Sequence, residues 1–309
     1  IPFKWYPPER ILDHMLACRL FDVTEAAGAT IDLVIGLRFP AYLIPHPRKV
    51  LWILHQHRAA YDLWGHPSEN MDAYPGAAQV RESIQRADRA FIPQAEKVFA
   101  NSRNVADRLR KYCGLESTPL YHPPPGAEEF YCAEPEEYLY FPSRLCQAKR
   151  QTLVIEALAQ TKRPVRVRFS GSPEIPAYAD DLAAFARRHG VERRVEWLGQ
   201  LTEGQKRDAY ARALGVVYPP LDEDYGYVTL EAMLASKPVI VSRDSGGPLE
   251  FVREGETGIV ADPTLEALAA GMDELWGDRE GARRMGEGGR RAYDELRITW
   301  PHVVSQLIS

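Results

Sequence analysis

Along the chain, short β-branched runs alternate with stretches in which apolar residues recur at helical spacing, a pattern that predicts parallel sheets covered by helices. In the first half it predicts a helix over 9–27, strands over 31–36, 49–55 and 98–100, and a helix from the capping pair Asn101-Ser102 to Tyr112. The segment His122-Pro123-Pro124-Pro125-Gly126-Ala127-Glu128-Glu129 has no period and is stiffened by proline, so a domain boundary is expected there. The expected organisation is 1–126, 127–296 and a last helical segment, 297–309, around Trp300. The second half predicts strands over 138–142, 165–169, 195–198, 215–218, 239–241 and 258–260. Between and after them come helices over 151–160, 180–189, 203–213, 228–236, 265–276 and 279–296. In such a sheet the strand-to-helix loops open at the carboxyl edge, where open α/β sheets bind ligands.

Composition narrows the class. A chain of 309 residues, 45% hydrophobic and 26% charged, can form two domains with real cores, which excludes disorder. Residues 1–125 carry 15 Lys+Arg against 13 Asp+Glu, so the net charge of −5 arises after them, and no nucleic-acid scaffold is indicated. Cys18, Cys113, Cys132 and Cys146 show neither a disulfide framework nor metal-ligand spacing, and a reducing cytosol is the expected compartment. No apolar run approaches the ~20 residues that a spanning helix needs. The start, Ile1-Pro2-Phe3-Lys4-Trp5-Tyr6-Pro7-Pro8, reads as the interior of a longer protein.

The candidate chemistry gathers on the predicted rim. Glu223 and Glu231 flank an aromatic-glycine turn in Pro219-Pro220-Leu221-Asp222-Glu223-Asp224-Tyr225-Gly226-Tyr227-Val228-Thr229-Leu230-Glu231. Wound as helix, their eight-residue offset would separate the carboxylates by about 12 Å, enough to bracket a diphosphate. The backbone N–H groups of Gly226, Tyr227, Val228 and Thr229 at a helix start suit phosphate, and each carboxylate suits sugar hydroxyls. Taken alone, two glutamates near a helix start commonly only complement its dipole. Ser143-Arg144-Leu145-Cys146-Gln147-Ala148-Lys149-Arg150 follows another strand and offers Arg144 and Lys149 to phosphate. Gly171 and the pair Gly246-Gly247 sit in small-residue turns that permit close backbone approach. His55, directly after a strand, can bond a sugar hydroxyl or meet a leaving phosphate, although such histidines are commonly structural. No paired aspartates suggest a metal site.

Together these motifs, with Trp197-Leu198-Gly199-Gln200-Leu201, Lys237-Pro238-Val239-Ile240 and Ser245-Gly246-Gly247-Pro248-Leu249-Glu250, resemble the retaining glycosyltransferases of family 4. The likeness runs through most of 138–262. In the first half it rests on Phe99-Ala100-Asn101-Ser102, on His122-Pro123-Pro124-Pro125-Gly126, and on His55 at a strand end. It implies a GT-B architecture, two Rossmann-like domains facing across a cleft, with a UDP- or GDP-linked sugar as co-substrate and no cofactor or metal. On that likeness Arg144 and Lys149 hold the diphosphate, Glu231 bonds the ribose, Glu223 contacts the transferred sugar, and Gly171 lets base or ribose approach. The acceptor is a glycan, a lipid-linked sugar or a small molecule. Asp224 stands where many members have glycine, which leaves sugar preference open. The family's first strand, glycine-rich loop and first helix would precede Ile1, so the first domain reads as incomplete. The alternatives are a catalytically silent nucleotide-sugar-binding subunit and a nucleotide-sugar epimerase, while a phosphorylase is disfavoured for want of a lysine-bearing cofactor pocket. Aromatic loops over 38–42 and 61–66 offer acceptor stacking or ordinary packing. Arg81, Arg86, Arg89 and Lys97 offer a basic face for peripheral contact with anionic lipid, or a merely solvated row.

Overall fold

The computed structural model describes residues 7–66 and 69–309. The opening Ile1–Tyr6, read above as chain interior, falls outside the described residues. In order, the chain forms α1 (Glu9–Leu20), β1 (Glu25–Ala26), β2 (Ala29–Thr30), β3 (Val34–Gly36), β4 (Lys49–Ile53), α2 (Ala77–Phe91), β5 (Lys97–Ala100), α3 (Arg103–Cys113) and β6 (Thr118–Pro119). Then follow β7 (Leu139–Pro142), α4 (Gln151–Gln160), β8 (Val167–Ser170), α5 (Pro176–Arg188), β9 (Val195–Gly199), α6 (Glu203–Ala211), β10 (Gly215–Val217) and α7 (Tyr227–Leu234). The last elements are β11 (Val239–Ser242), β12 (Gly258–Ala261), α8 (Leu265–Gly277), α9 (Arg279–Leu296) and α10 (Trp300–Ile308). Contacts divide the chain into one unit that runs to His122 and includes Thr299–Ser309, and a second unit, Pro123–Ile298.

In the first unit β3, β4, β5 and β6 pair in sequence order, all parallel. Side chains alternate across a strand, so β4 feeds two cores. Leu51 and Ile53 join Ile11, Val80, Ile84 and Leu109 from α1, α2 and α3, whereas Val50 and Trp52 join Phe99, Leu120, Val303 and Leu307, the last two from α10. A strand covered on both faces reads as an unbroken apolar run, which is why Val50-Leu51-Trp52-Ile53 was legible. Ser102 caps α3 by accepting from Val105 N at 3.0 Å, and left-handed Gly114 ends it.

Three features of this unit differ from expectation. The helix expected over 9–27 stops at Leu20, because Asp22 accepts from the backbone N–H of Thr24 at 2.9 Å. Ala27 and Gly28, both at positive φ, then form the tight turn of a β1–β2 hairpin. Helix α2 was not expected at all, although Ala77, Val80, Ile84 and Ala87 make a buried stripe at helical spacing. The row of basic residues is broken up: Arg81 lies over the Trp64 ring and donates to Ala60 O, and Lys97, on a strand, reaches Ser309. In the aromatic loops Phe39, Tyr42 and Tyr61 are buried core residues. No helix among the described residues is long and apolar enough to cross a membrane.

The second unit is a six-stranded sheet ordered β12-β11-β10-β7-β8-β9, every neighbouring pair parallel. Strand order runs outward in one direction from β7 and in the other from β10, so the topological switch point lies between them. Ligands of open α/β sheets bind outside the carboxyl ends at such a point. Thr202 and Gln205 form a capping box at the start of α6, and Thr264 and Asp278 cap α8 and α9.

Asp88, on α2, is fully buried and accepts from Tyr42 Oη at 2.6 Å and Tyr61 Oη at 2.7 Å. Burial raises its pKa from 3.8 to about 6, opposed by the two tyrosine hydrogen bonds. An acid whose folded-state pKa exceeds its unfolded value costs stability once ionised. The cost is absent below the unfolded pKa, grows between there and about 6, and is complete above. Asp88→Asn is expected to flatten this dependence, gaining on the order of 2 kcal/mol relative to the unmodified protein between pH 4 and pH 7.5, read as the change in urea stability of this unit.

Candidate functional site

Three loops at the carboxyl edge of the six-stranded sheet, after β7, β10 and β11, are tied together by backbone hydrogen bonds. Leu221 N donates to Ala148 O at 2.9 Å, and Asp222 N and Glu223 N donate to Asp244 O and Ser245 O, each at 2.8 Å. Gly247 N returns a bond to Glu223 O at 2.8 Å. A Cβ on Gly247 would lie 2.7 Å from Asp224 O, so glycine lets the two loops close on each other. Gly226, at φ 85, abuts Pro248 in the same contact, and Gly246 takes φ 71.

These loops bring Lys149 and Glu223 together. The Lys149 Nζ forms an ion pair with Glu223 Oε2, which also accepts from Tyr218 Oη at 3.0 Å. Burial, then the Glu223 charge, pushes the Tyr218 hydroxyl well above its ordinary pKa, so it stays a donor. Arg144 lies apart from this pair: its guanidinium is exposed and meets Glu174, beyond β8, at 3.3 Å. Buried Gln151 fixes the start of that loop by donating to Ser143 Oγ and to Arg144 O.

Helix α7 begins at Tyr227 with no side-chain cap, Gly226 being its N-cap residue. From Thr229 to Leu234 every residue is buried, and the Thr229 N–H already donates to Gly226 O at 3.0 Å, so Thr229, expected among the donor-binding residues, is turned into the fold. Glu231, buried on α7, accepts from Lys206 Nζ at 2.8 Å and Tyr210 Oη at 2.7 Å. Burial depresses the Lys206 pKa, yet the neighbouring Glu231 and Glu203 outweigh it and hold the ammonium above its ordinary value. Each Glu231 oxygen keeps a further lone pair for another donor. Gly171, at φ 129, faces Ser143, whose carbonyl oxygen would lie 2.0 Å from a Cβ there, so this glycine lets the turn after β8 pack on the loop after β7. His55 belongs to the first unit, its Nδ1 2.8 Å from Gln56 O.

Sequence reasoning passed over Lys206 and Tyr210. They stand at i and i+4 on α6, one face of a helix, and that spacing was the signal available. It also passed over Asp244, which had no motif to mark it. Among the described residues no three His, Cys, Asp or Glu side chains gather as a metal-binding group.

The family profile described as glycosyl transferases group 1 matches residues 129–292, more than half of the chain. The chain belongs to this family. Among curated group 1 relatives, an alpha-1,3/1,6-mannosyltransferase of Dictyostelium discoideum is 32% identical over 126 residues, 41% of this chain and 30% of that protein. A D-inositol 3-phosphate glycosyltransferase of Nocardia farcinica is 26% identical over 255 residues, 75% of this chain and 56% of that protein. The chain thus spans about half or less of the length of these relatives. The fold is that of GT-B glycosyltransferases. Sucrose-phosphate synthase of Thermosynechococcus elongatus superposes with a TM-score of 0.79 at 20% identity, covering 99% of this chain and 78% of the other. Anabaena HepE in complex with UDP and glucose gives 0.71 at 18% identity, covering 99% and 82%.

Within this group 1 unit, Lys206→Met is expected to strand the buried Glu231 carboxylate and cost about 2–3 kcal/mol of stability. The double variant with Glu231→Gln should lose less than that single. Urea denaturation of the three proteins checks both statements.

Proposed function

We propose that the chain is a retaining hexosyltransferase that moves a sugar from a nucleotide-diphosphate sugar to a hydroxyl of a glycan, lipid-linked or small-molecule acceptor. What chiefly supports this reading is the convergence of Lys149, Glu223 and the uncapped start of α7 on loops flanking the switch point of the second sheet. UDP is the first nucleotide to test, because HepE of similar fold was solved with UDP.

In the proposed reaction the bond between the anomeric carbon and the leaving diphosphate oxygen breaks. The acceptor hydroxyl attacks from the same face, and its proton passes to the departing phosphate. The help the protein gives is electrostatic. Lys149, Arg144 and the α7 N–H groups oppose charge that grows on the diphosphate, and preorganised donors of this kind are typically worth ~2.7–4 kcal/mol each. Glu231, held by Tyr210 and Lys206, takes the ribose hydroxyls, and Glu223 takes a hydroxyl of the transferred sugar. In that role Glu223 exchanges its hold on Lys149 for the sugar while the diphosphate takes its place. Gly246 lets the donor approach the backbone, Gly247 closes the loops after β10 and β11 on each other beside it, and His55 serves the sugar or the leaving group. The phosphate cradle is supplied by cations and backbone rather than by carboxylate-held metal, so the transfer is proposed to run without a divalent ion.

Incubation with a panel of UDP- and GDP-sugars, with and without simple glycoside acceptors, tests the reading. Slow hydrolysis or transfer, undiminished by EDTA and with retained anomeric configuration, is the expected result. Binding without turnover would instead favour a silent donor-binding subunit, and isomerised donor an epimerase. Arg144→Ala is expected to lower turnover by roughly 10²–10³.

A further inference from the structure

We propose that Arg150 is a positioning residue of the donor site, whose fork onto Asp244 fixes Lys149 and Glu223 against each other. The inference rests on the donor-site reading above. Arg150 joins the short turn at Gln147–Lys149 to α4 with φ 59 and ψ 40, a left-handed backbone that side chains other than glycine's rarely adopt. A chain needing only this turn would be served better by glycine. What arginine adds is a planar fork: Nη1 and Nη2 donate to the two Asp244 carboxylate oxygens at 2.8 and 2.7 Å. Both partners are partly exposed, so the pair adds little to global stability, and its effect is on geometry.

Asp244 is where the three loops meet. Its carboxylate holds Arg150, and its carbonyl accepts from the N–H of Asp222, the second left-handed corner of the site at φ 42. With Leu221 N bonded to Ala148 O, the contacts close a ring from the Lys149 turn through Leu221 and Asp222 to Asp244 and back through the guanidinium. Lys149 lies inside that ring, between Ala148 and Arg150, and Glu223 lies one residue beyond Asp222. Opening the fork loosens the turn that carries Lys149 against the two interlocked loops that present Glu223 and Gly246-Gly247.

Glycine at this position separates positioning from folding. Arg150→Gly relieves the backbone strain, so its thermal midpoint should equal or exceed that of the unmodified protein. At the same time hydrogen exchange over 144–150 and 221–226 should accelerate, and affinity for UDP should fall about tenfold. Arg150→Lys, which keeps the charge and loses the fork, should weaken UDP binding similarly, and Asp244→Asn combined with Arg150→Gly should bind no worse than either single. Unchanged exchange over 221–226 in Arg150→Gly overturns the proposal. So does UDP binding as tight as in the unmodified protein, or losses that add in the double variant. If the unmodified protein binds neither UDP nor GDP, the donor reading fails, and the exchange comparison alone then decides whether the fork positions these loops.

Discussion

The parallel pairing of β7 with β10 is the constraint on which the second unit depends. Leu139 is in register with Gly215 and Tyr140 with Val216, while Val216 pairs on its other side with Val239 of β11. Gly215 can sit there because a Cβ would fall 2.8 Å from Leu275 of α8 and 3.2 Å from Pro238 O. Three parallel strands in fixed register must deliver their following loops to one rim. That is how residues as far apart in sequence as Lys149 and Glu223 become an ion pair. The apolar burial beneath the rim holds the backbone, and the backbone bonds among the loops hold the polar groups.

Two lysine–glutamate pairs organise the charge at this rim, and they differ in character. Lys206 and Glu231 join helices α6 and α7, with the carboxylate buried and fixed from the other side by Tyr210, so this pair behaves as part of the core. Lys149 and Glu223 join two loops and remain partly open to water. In a partly dry site such pairs are worth more than on a surface, and a polyanion arriving at the rim competes directly for the ammonium. The first pair therefore sets shape, and the second can exchange partners.

Much of the second unit was legible because its strands are continuous apolar runs closed by glycine or proline, as in Lys237-Pro238-Val239-Ile240-Val241, and because its motifs occur in order. The first unit was less so. Helix α2 hid because its buried stripe leans on two alanines among five charged side chains, which dilutes the apolar signal. The β1–β2 hairpin hid because neither of its strands contains a buried residue. At the site, the rim residues Glu223, Glu231 and Lys149 could be named from spacing, but their partners could not. Asp244 reaches Arg150 only through strand order, which no single-sequence pattern carries, and Tyr218 meets Glu223 through the fold of the loop they share. Gly171 and Gly247 were marked as places where a ligand could approach the backbone closely, and the closest neighbours found are other loops of the protein itself.

Backbone hydrogen exchange with and without saturating UDP or GDP tests the central claim most directly, since it asks whether the interlocked loops after β7, β10 and β11 are where a nucleotide diphosphate binds. Slowed exchange centred on 143–150, 222–229 and 244–248 is the result this account requires. Nucleotide binding that leaves those amides unchanged and protects another part of the chain would contradict it.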